Sequence, residues 1–501
     1  MTNSAFSKLD ALGKKLEALD HAQSMLFVDE AVNMPAGGGE KRAEAMSVLA
    51  GMQHEMATAP EIADWIGAAL DEDLDDMQEA AVREFQRVYT NATCLSSDFV
   101  RRQVNARLRS EQLWRELRPT GDWASFLPAF EGVVANVREE AELRATALGL
   151  APYDAMMEQY DPGNRTAGID VVFEDLKAFL KDFVPQALAR QEEKLAARPL
   201  KPLNAPFPIE KQKALGLAIM EALGFDFEHG RLDISHHPFC GGVPTDVRMT
   251  TRYTTAEFLS PLMGILHETG HGLYEQNLPK EWSHWPVGKA RGMAIHESQS
   301  LFVEKQIARS PEFWEWAMPL VAEHLGADAI AGWDLEDVLA HVHLIERGLI
   351  RVDADEATYP LHVILRYEIE KDLVSGALAP KDVPEVWDDK MREYLGLSTI
   401  ANPKDGPMQD VHWPSGAIGY FPSYTLGALI AAQQWVAIEK VQPNVRNDFR
   451  NGRFVGVNDW RRDNIWSQAS RWSTPELLER ATGEKLNAKH FADHLKRRYL
   501  A

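Results

Sequence analysis

Apolar residues recur at steps of three and four along most of the chain, which is the spacing of one face of an α-helix. Residues 6–26 show this spacing at Leu9, Leu12, Leu16 and Leu19. Residues 96–118 repeat it, and Ser97 is the expected N-cap of that helix. The hydrophobic pattern therefore predicts a mainly α-helical protein.

Two later stretches extend the helical prediction. Residues 173–197 carry the same pattern, and Pro185 predicts a kink or a break there. Residues 473–500 open with Ser-Thr-Pro-Glu, a typical helix start. A chain of 501 residues exceeds the usual size of one core, and no linker or repeat divides it. We expect one catalytic unit over 1–501 with two helical lobes around a cleft, and we regard the helical region of about 1–110 as a candidate lid.

One region, residues 231–255, departs from the helical pattern. It holds a Gly-Gly pair, two prolines and two short β-rich runs, which predict a strand pair with a connecting loop. In the second run, Asp246 and Arg248 fall on one face of an extended strand, while Val247 and Met249 fall on the other. An edge strand at this place could hold a peptide backbone by main-chain hydrogen bonds.

The stretch GILHETGHGLYEQNLP follows directly and carries the candidate chemistry. Four residues separate His267 from His271, so a helix would present both imidazoles to one metal ion. Zinc lowers the pKa of a bound water to about 7, and Glu268 is placed to take its proton as a general base. Gly270 and Gly272 each cost about 1 kcal/mol inside a helix relative to alanine. We expect another backbone to pack closely against them.

A catalytic zinc needs a third protein ligand. Tyr274 and Asn277 stand where the metzincin pattern has glycine and histidine, which excludes that class. The next amphipathic stretch, residues 292–310, offers both His296 and Glu297. Because neighbours on a helix point about 100° apart, only one of the two can face the ion, and spacing alone does not choose. We place the metal core at about 231–430.

Composition narrows the possible partners and the compartment. The chain has 45% hydrophobic residues, 26% charged residues and a formal net charge of −22. This charge argues against nucleic acid and against anionic membranes as partners. Cys94 and Cys240 are the two cysteines, and neither a signal segment nor an apolar run of membrane-spanning length is evident. We expect a cytoplasmic protein.

Several motifs resemble those of the thermostable, Taq-type metallocarboxypeptidase family, in the same order. They are HPF (237–239), DVRMT (246–250), HETGH (267–271), HESQ (296–299), IRVDAD (350–355), GPMQDVHW (406–413) and GYFPSYTLG (419–427). N-terminal and C-terminal stretches also look similar, so the resemblance covers nearly the whole chain. Phe27 and Trp466 depart from the family pattern, which has tryptophan and histidine there, and these departures put substrate preference or lid packing in doubt.

The resemblance has implications for fold, metal and activity. It implies a helical zincin of the neurolysin and angiotensin-converting-enzyme type (a gluzincin), with a small β-sheet beside the active-site helix and a deep cleft. It implies Glu297 as the third ligand, with His296 in support. It further implies one Zn²⁺ per subunit, for which Co²⁺ can substitute, a homodimer, and removal of C-terminal residues from peptides with broad specificity.

Binding of a free C-terminus calls for an arginine, whose planar fork holds a carboxylate bidentately. Arg248 and Arg351 are the candidates, although Arg248 could pair with Asp246, and Arg351 with Asp355. We therefore also name both aspartates as candidate site residues. Asp246 is a candidate substrate contact, and Asp355 is a candidate for a supporting hydrogen bond.

The remaining motif residues supply an oxyanion donor and the cleft wall. Tyr420 and His237 are the preferred oxyanion donors, with Tyr424 a weaker candidate. We assign Gln409 and His412 to the cleft wall and Asp410 to a supporting hydrogen bond, although Asp410 and His412 could instead form a buried structural pair. The rival hypotheses are an oligopeptide endopeptidase on the same fold and a non-catalytic binding protein, and Glu268 argues against the latter.

Overall fold

The computed structural model describes residues 4–501 and is mainly helical. The helices are α1 (Ala5–Val32), α2 (Gly39–Ala57), α3 (Glu61–Ala69), α4 (Asp76–Thr93), α5 (Ser97–Leu117), α6 (Trp123–Leu148), α7 (Pro152–Met157), α8 (Thr166–Ala197), α9 (Ile209–Ala222), α10 (Leu259–Gln276), α11 (Met293–Leu301), α12 (Pro311–Leu325), α13 (Leu335–Val342), α14 (Tyr359–Ser375), α15 (Val383–Leu395), α16 (Pro422–Val441), α17 (Val445–Arg450), α18 (Val455–Asn464), α19 (Thr474–Thr482) and α20 (Lys489–Tyr499). A π-helix (Phe302–Ile307) continues α11. The strands are β1 (Gly230–Ile234), β2 (Phe239–Val243) and β3 (Asp246–Thr251). Among the described residues, no helix combines the length and hydrophobicity needed to cross a membrane.

The predicted helices form, with two local corrections. The N-cap of α5 is Ser96, whose hydroxyl accepts a hydrogen bond from the Phe99 N–H, so the prediction of Ser97 was wrong by one residue. Pro185 does not break α8, which continues to Ala197. Proline inside a helix costs about 3 kcal/mol, but each apolar side chain buried by this helix, such as Phe183, contributes about 1.5–3 kcal/mol. Burial therefore outweighs the local penalty.

The small sheet has three strands rather than the predicted two. Their order is β1-β3-β2, with β3 parallel to β1 and antiparallel to β2. The additional strand holds the Gly-Gly pair, and glycine is depleted in strands, so its sequence signal was weak. Val247 and Met249 are fully buried, as the alternation in β3 predicted.

The core of the protein falls into two clusters of different size. The larger one runs from Phe126 to Tyr499 and includes the buried faces of α10, α11 and α16. A smaller cluster joins α1, α3 and α4, and Val287 completes it. The division into lobes and the lid remain predictions. The larger core places α10 between the sheet and α11, which is the setting of the HETGH motif.

Candidate metal centre

Gly270 allows α10 to approach α11 at backbone distance. A Cβ atom at this position would lie 2.3 Å from the carbonyl oxygen of Gln299. The expectation of a tightly packed backbone is confirmed here. Gly272 instead faces side chains, since a Cβ there would lie 2.8 Å from Met249 Sδ and 2.9 Å from a ring carbon of Phe225.

A second glycine shapes the site from α16. A Cβ at Gly427 would lie 2.8 Å from Cγ of Glu297. Any larger residue at Gly427 would therefore displace the Glu297 side chain. The two close contacts, at Gly270 and at Gly427, fix Glu297 between α10 and α16.

Three side chains converge where these helices meet. Ligand atoms of His267, His271 and Glu297 all lie within 4.8 Å of one another. Glu297 Oε2 is 3.4 Å from Nε2 of His271 and 3.7 Å from Nε2 of His267. Zinc–ligand bonds of about 2.0–2.2 Å in a tetrahedron separate ligand atoms by roughly 3.3–3.6 Å. The two imidazoles and one carboxylate thus fit a divalent ion of this kind.

The Nδ1 atoms of His267 and His271, which are not the atoms nearest Glu297, each contact another side chain. Glu304, in the π-helix, lies 3.0 Å from Nδ1 of His267. His296 Nδ1 lies 2.6 Å from Nδ1 of His271, and its own Nε2 lies 2.7 Å from Glu275. His296 is therefore turned toward Glu275, and Glu297 faces the imidazoles. Such partners orient metal-binding histidines and raise their basicity.

Sequence reasoning missed Glu275 and Glu304, the two carboxylates that contact these histidines. Glu275 follows His271 by four residues and so lies on the same helical face. Glu304 follows Glu297 by seven residues, two helical turns later. These spacings were available signals, but many solvated glutamates have them too.

Burial and neighbouring charges shift the pKa values at this centre. Burial, with nearby carboxylates, raises the pKa of Glu268 to about 7. Burial would also raise the pKa of Glu297, but His267 and His271 lower it to about 2. Burial lowers the pKa of His271 to about 4, which favours the neutral, ligand-ready imidazole.

A cavity of about 840 Å³ opens onto this centre. Its lining includes His267, Glu268, Glu297, Arg351, Tyr359 and Tyr424. Sites of this size accept small ligands and short peptide segments. One cavity thus contains two of the candidate ligands, the candidate base and a guanidinium group.

Arg351 is fixed at the cavity wall by a dense set of contacts. Its guanidinium donates to Asp410 (2.8 Å) and to the hydroxyl of Tyr359 (2.7 Å), and only 5% of the residue is exposed. The side-chain oxygen of Gln409 accepts a hydrogen bond from the main-chain N–H of Arg351 at 2.8 Å. The side-chain NH₂ of Gln409 donates to the carbonyls of Leu349 and Asp405. Gln409 therefore supports Arg351 and does not line the cavity.

Asp355 and Asp410 have different roles from each other. Asp355 does not pair with Arg351, because its carboxylate caps the following turn through the N–H groups of Ala357 and Thr358. Asp410 bonds to both Arg351 and the fully buried Arg366. Two guanidinium groups thus share one carboxylate, and this trio carries a net positive charge beside the cavity.

Arg248 is paired and lies away from the cavity. Its guanidinium donates to Asp246 at 2.8 Å, which is the alternative considered from the sequence. Neither residue lines the 840 Å³ cavity. Of the two candidate arginines, Arg351 is the one that shares a cavity with candidate metal ligands.

The oxyanion candidates lie at different depths. Tyr424 lines the cavity, and its hydroxyl is 3.1 Å from Nε2 of His412. Tyr420 packs edge-on against Tyr424 and does not line the cavity, and burial raises its pKa to about 12. His237 lies exposed on the loop between β1 and β2, next to Pro238, which does line the cavity.

The two departures from the family pattern occupy separate places. Trp466 is buried behind α11, where its indole N–H donates to Gln299 Oε1 at 2.9 Å beside the guanidinium of Arg461. Phe27 is half exposed on α1, and its ring meets Phe239 of β2 edge-on. Trp466 therefore bears on the placement of α11, and Phe27 on the contact between α1 and the sheet.

Known proteins share both the sequence and this architecture. Residues 8–499 match the family described as carboxypeptidase Taq (M32) metallopeptidase. The chain is 39% identical over 488 residues to thermostable carboxypeptidase 1 of Thermus thermophilus, covering 94% of each, and 32% identical over 511 residues to that of Pyrococcus furiosus, covering 99% of each. The solved structure of Trypanosoma cruzi metallocarboxypeptidase 1 is similar with a TM-score of 0.96 and 39% identity over 99% of both chains.

Proposed function

This chain belongs to the carboxypeptidase Taq family of metallopeptidases, and from that membership we propose that it is a zinc-dependent carboxypeptidase that removes C-terminal residues from peptides with broad specificity. One observation carries the proposal. Two of the three candidate ligands (His267 and Glu297), the buried Glu268 and Arg351 all line one cavity. A metal site alone would indicate a hydrolase, and the arginine adds recognition of a chain end.

We propose His267, His271 and Glu297 as the metal ligands, with Glu304 and the His296–Glu275 pair holding the imidazoles. When bound, zinc supplies a polarised carbonyl and a water of lowered pKa. Cobalt is proposed to substitute, since imidazole and carboxylate ligands also suit it.

Glu268 is proposed to act as the general base. It neighbours His267 on α10 and is 93% buried, since 7% of its surface is exposed. A pKa raised by burial toward neutrality suits a group that takes a proton from the attacking water and then gives it to the leaving amine. The low polarity around the carboxyl thus supports its catalytic role.

Arg351 is proposed to bind the free carboxylate of the substrate. The Arg351–Asp410–Arg366 trio has one carboxylate for two guanidinium groups, so an incoming carboxylate restores neutrality. A hydrogen bond between ionised partners in such a buried place is strong and directional. We propose that the segment carrying Arg351 is held in place by Gln409, Asp410 and Asp355.

Tyr424 is proposed as the oxyanion donor, because it is the tyrosine of GYFPSYTLG that reaches the cavity. Tyr420 is proposed to support its ring, and His412 to orient its hydroxyl. His237, beside Pro238, and the Arg248–Asp246 pair are proposed to contact the peptide farther from its terminal carboxylate.

We also propose a cytoplasmic homodimer with one ion per subunit. The cytoplasm is supported by two unpaired cysteines, Cys94 and Cys240. The dimer rests on the family resemblance alone.

A pair of peptides that differ only at the C-terminus separates this proposal from the endopeptidase alternative. One peptide carries a free carboxylate and the other carries an amide. The account predicts release of single residues from the free peptide and little cleavage of the amidated one. Internal cleavage of the amidated peptide at a comparable rate would favour the endopeptidase and contradict the carboxypeptidase.

A further inference from the structure

A second groove of about 820 Å³ lies behind the catalytic cavity. Side chains from α8, α13, α16, α17 and α20 line it, together with Gln306 of the π-helix and Ser310 just after it. Its volume is close to the 840 Å³ of the catalytic cavity and lies within the range of small-molecule sites. Neither the metal centre nor peptide hydrolysis uses this groove.

The charge of the groove runs against that of the whole chain. The chain has 53 basic and 75 acidic residues, yet the lining has five basic side chains and a single acidic one, Glu336. The basic set is Lys194, Arg198, Arg446, Arg497 and Arg498. A concave surface of one sign raises the local concentration of ions of the opposite sign.

Not all of these cations are neutralised within the protein. Arg498 pairs with Glu356, and Arg446 pairs with Glu439 while its guanidinium lies over the ring of Trp435. Arg198 pairs with Asp334 and Asp337, and Lys194 Nζ donates to the carbonyl oxygen of Ala501. The guanidinium of Arg497 makes no hydrogen bond or ion pair to any residue in the range 4–501. The groove therefore presents at least one guanidinium group with its full donor capacity.

Gln306 gives independent evidence for a polar occupant. Only 4% of this residue is exposed, it lines the groove, and its amide has no hydrogen-bond partner within the described part of the chain. The polar atoms of this amide remain open to the groove, where a ligand can donate or accept a hydrogen bond.

Apolar side chains also line the groove. Trp435, Leu195 and Leu339 are among them. We propose that the groove binds a small organic anion, a monocarboxylate with an apolar body, whose charge meets Arg497 and whose hydrocarbon part packs on Leu195 and Leu339. The single acidic side chain of the lining, Glu336, disfavours a second negative group on the ligand.

The groove shares one structural segment with the catalytic cavity but is a separate site. Gln306 faces the groove, while Glu304, two residues earlier in the π-helix, faces His267. Arg351, the anion-binding candidate of the catalytic cavity, does not line the groove. Variants can therefore address each site alone.

Calorimetric titration of the full-length, metal-loaded protein with octanoate tests the proposal, with octylamine as the cationic probe of equal length. We expect saturable binding of octanoate, an affinity at least fivefold lower for octylamine, and a loss of at least fivefold in octanoate affinity in Arg497→Gln. Gln306→Leu should also weaken binding. Since Arg497 is exposed, its variant should fold normally.

Two matched variants complete the test. Arg102→Gln, an exposed arginine on α5, should leave octanoate affinity unchanged, and Arg351→Gln detects any octanoate that binds in the catalytic cavity instead. Loss of binding in Arg351→Gln with retention in Arg497→Gln would assign octanoate to the catalytic cavity and overturn the proposal. Equal affinities for octanoate and octylamine, or no binding of octanoate at millimolar concentration, would overturn it as well.

Discussion

At the scale of single residues, the sequence could identify the groups of the HETGH motif but not the groups that hold them. The spacing of His267 and His271 places both imidazoles on one helical face. Glu304 reaches His267 from another helix, and that contact depends on the π-helical turn of residues 302–307. Local spacing does not encode such a contact, so it emerged only from the fold.

Replacing Arg351 tests carboxylate recognition directly. Arg351→Gln should raise KM for peptides with a free C-terminus by at least tenfold, because the charge-assisted hydrogen bonds to the carboxylate are lost. Arg102→Gln is the matched control, since Arg102 is exposed on α5 and lies outside the cavity, and it should change KM by less than threefold. Steady-state kinetics on free and amidated peptides measure both effects. Equal losses in the two variants would contradict this assignment.

Replacing Glu304 tests the outer layer of the metal site. Glu304→Gln should lower metal affinity by about 10–100-fold, because the partner of His267 Nδ1 loses its charge. Competition with a chelator, followed by metal analysis, gives the affinity. Glu174→Gln, on the exposed face of α8, serves as the control and should retain the affinity of the parent. An unchanged affinity in Glu304→Gln would show that Glu304 does not orient the ligand.

At the scale of secondary-structure elements, the hydrophobic pattern predicted that most segments are helices, but it did not predict which helices contact each other. Periodicity correctly indicated α1, α5, α8 and the C-terminal helices. At Pro185 the predicted break is absent, because tertiary burial outweighs the local penalty. The pattern missed β2, whose two glycines weaken the strand signal. Conversely, the unfavourable Gly270 was informative, since its cost in the helix pointed to the close approach of α11.

Gly270→Ala tests the importance of that approach. The added methyl group would overlap the Gln299 carbonyl, so we expect a loss of about 1–3 kcal/mol in the free energy of unfolding and weaker metal binding. Gly264→Ala is the control on the same helix, where the nearest atom is 4.0 Å away. This variant should gain about 0.5–1 kcal/mol from helix propensity. Denaturant unfolding measures both, and a stable Gly270→Ala with full metal affinity would contradict the packing argument.

At the scale of the whole molecule, the candidate active site combines residues from distant parts of the chain. The cavity joins His267 on α10, Glu297 on α11, Arg351 after α13 and Tyr424 on α16. Spacing predicted the segments of His267 and Glu297, whereas Arg351 and Tyr424 came from the family motifs. The match over residues 8–499 shows the family, and the fold brings the four side chains to one cavity.

The resemblance did not rank the residues within the motifs. From the sequence, Arg248 and Arg351 were equal candidates, and Tyr420 was preferred to Tyr424. The fold separates each pair by burial and by access to the cavity. These differences arise from three-dimensional packing, which a list of motifs does not contain.

The most direct test of the central claim is timed mass spectrometry of a peptide digested by the enzyme, combined with metal analysis of the same sample. The account predicts about one zinc per chain and a ladder of products that each lose one residue from the C-terminus. A chelator should abolish the ladder, and Glu268→Gln should lower its rate by about 10²–10⁴-fold while retaining the metal. A metal-free protein that still produces the ladder, or a metal-loaded one that produces none from any free peptide, would contradict it.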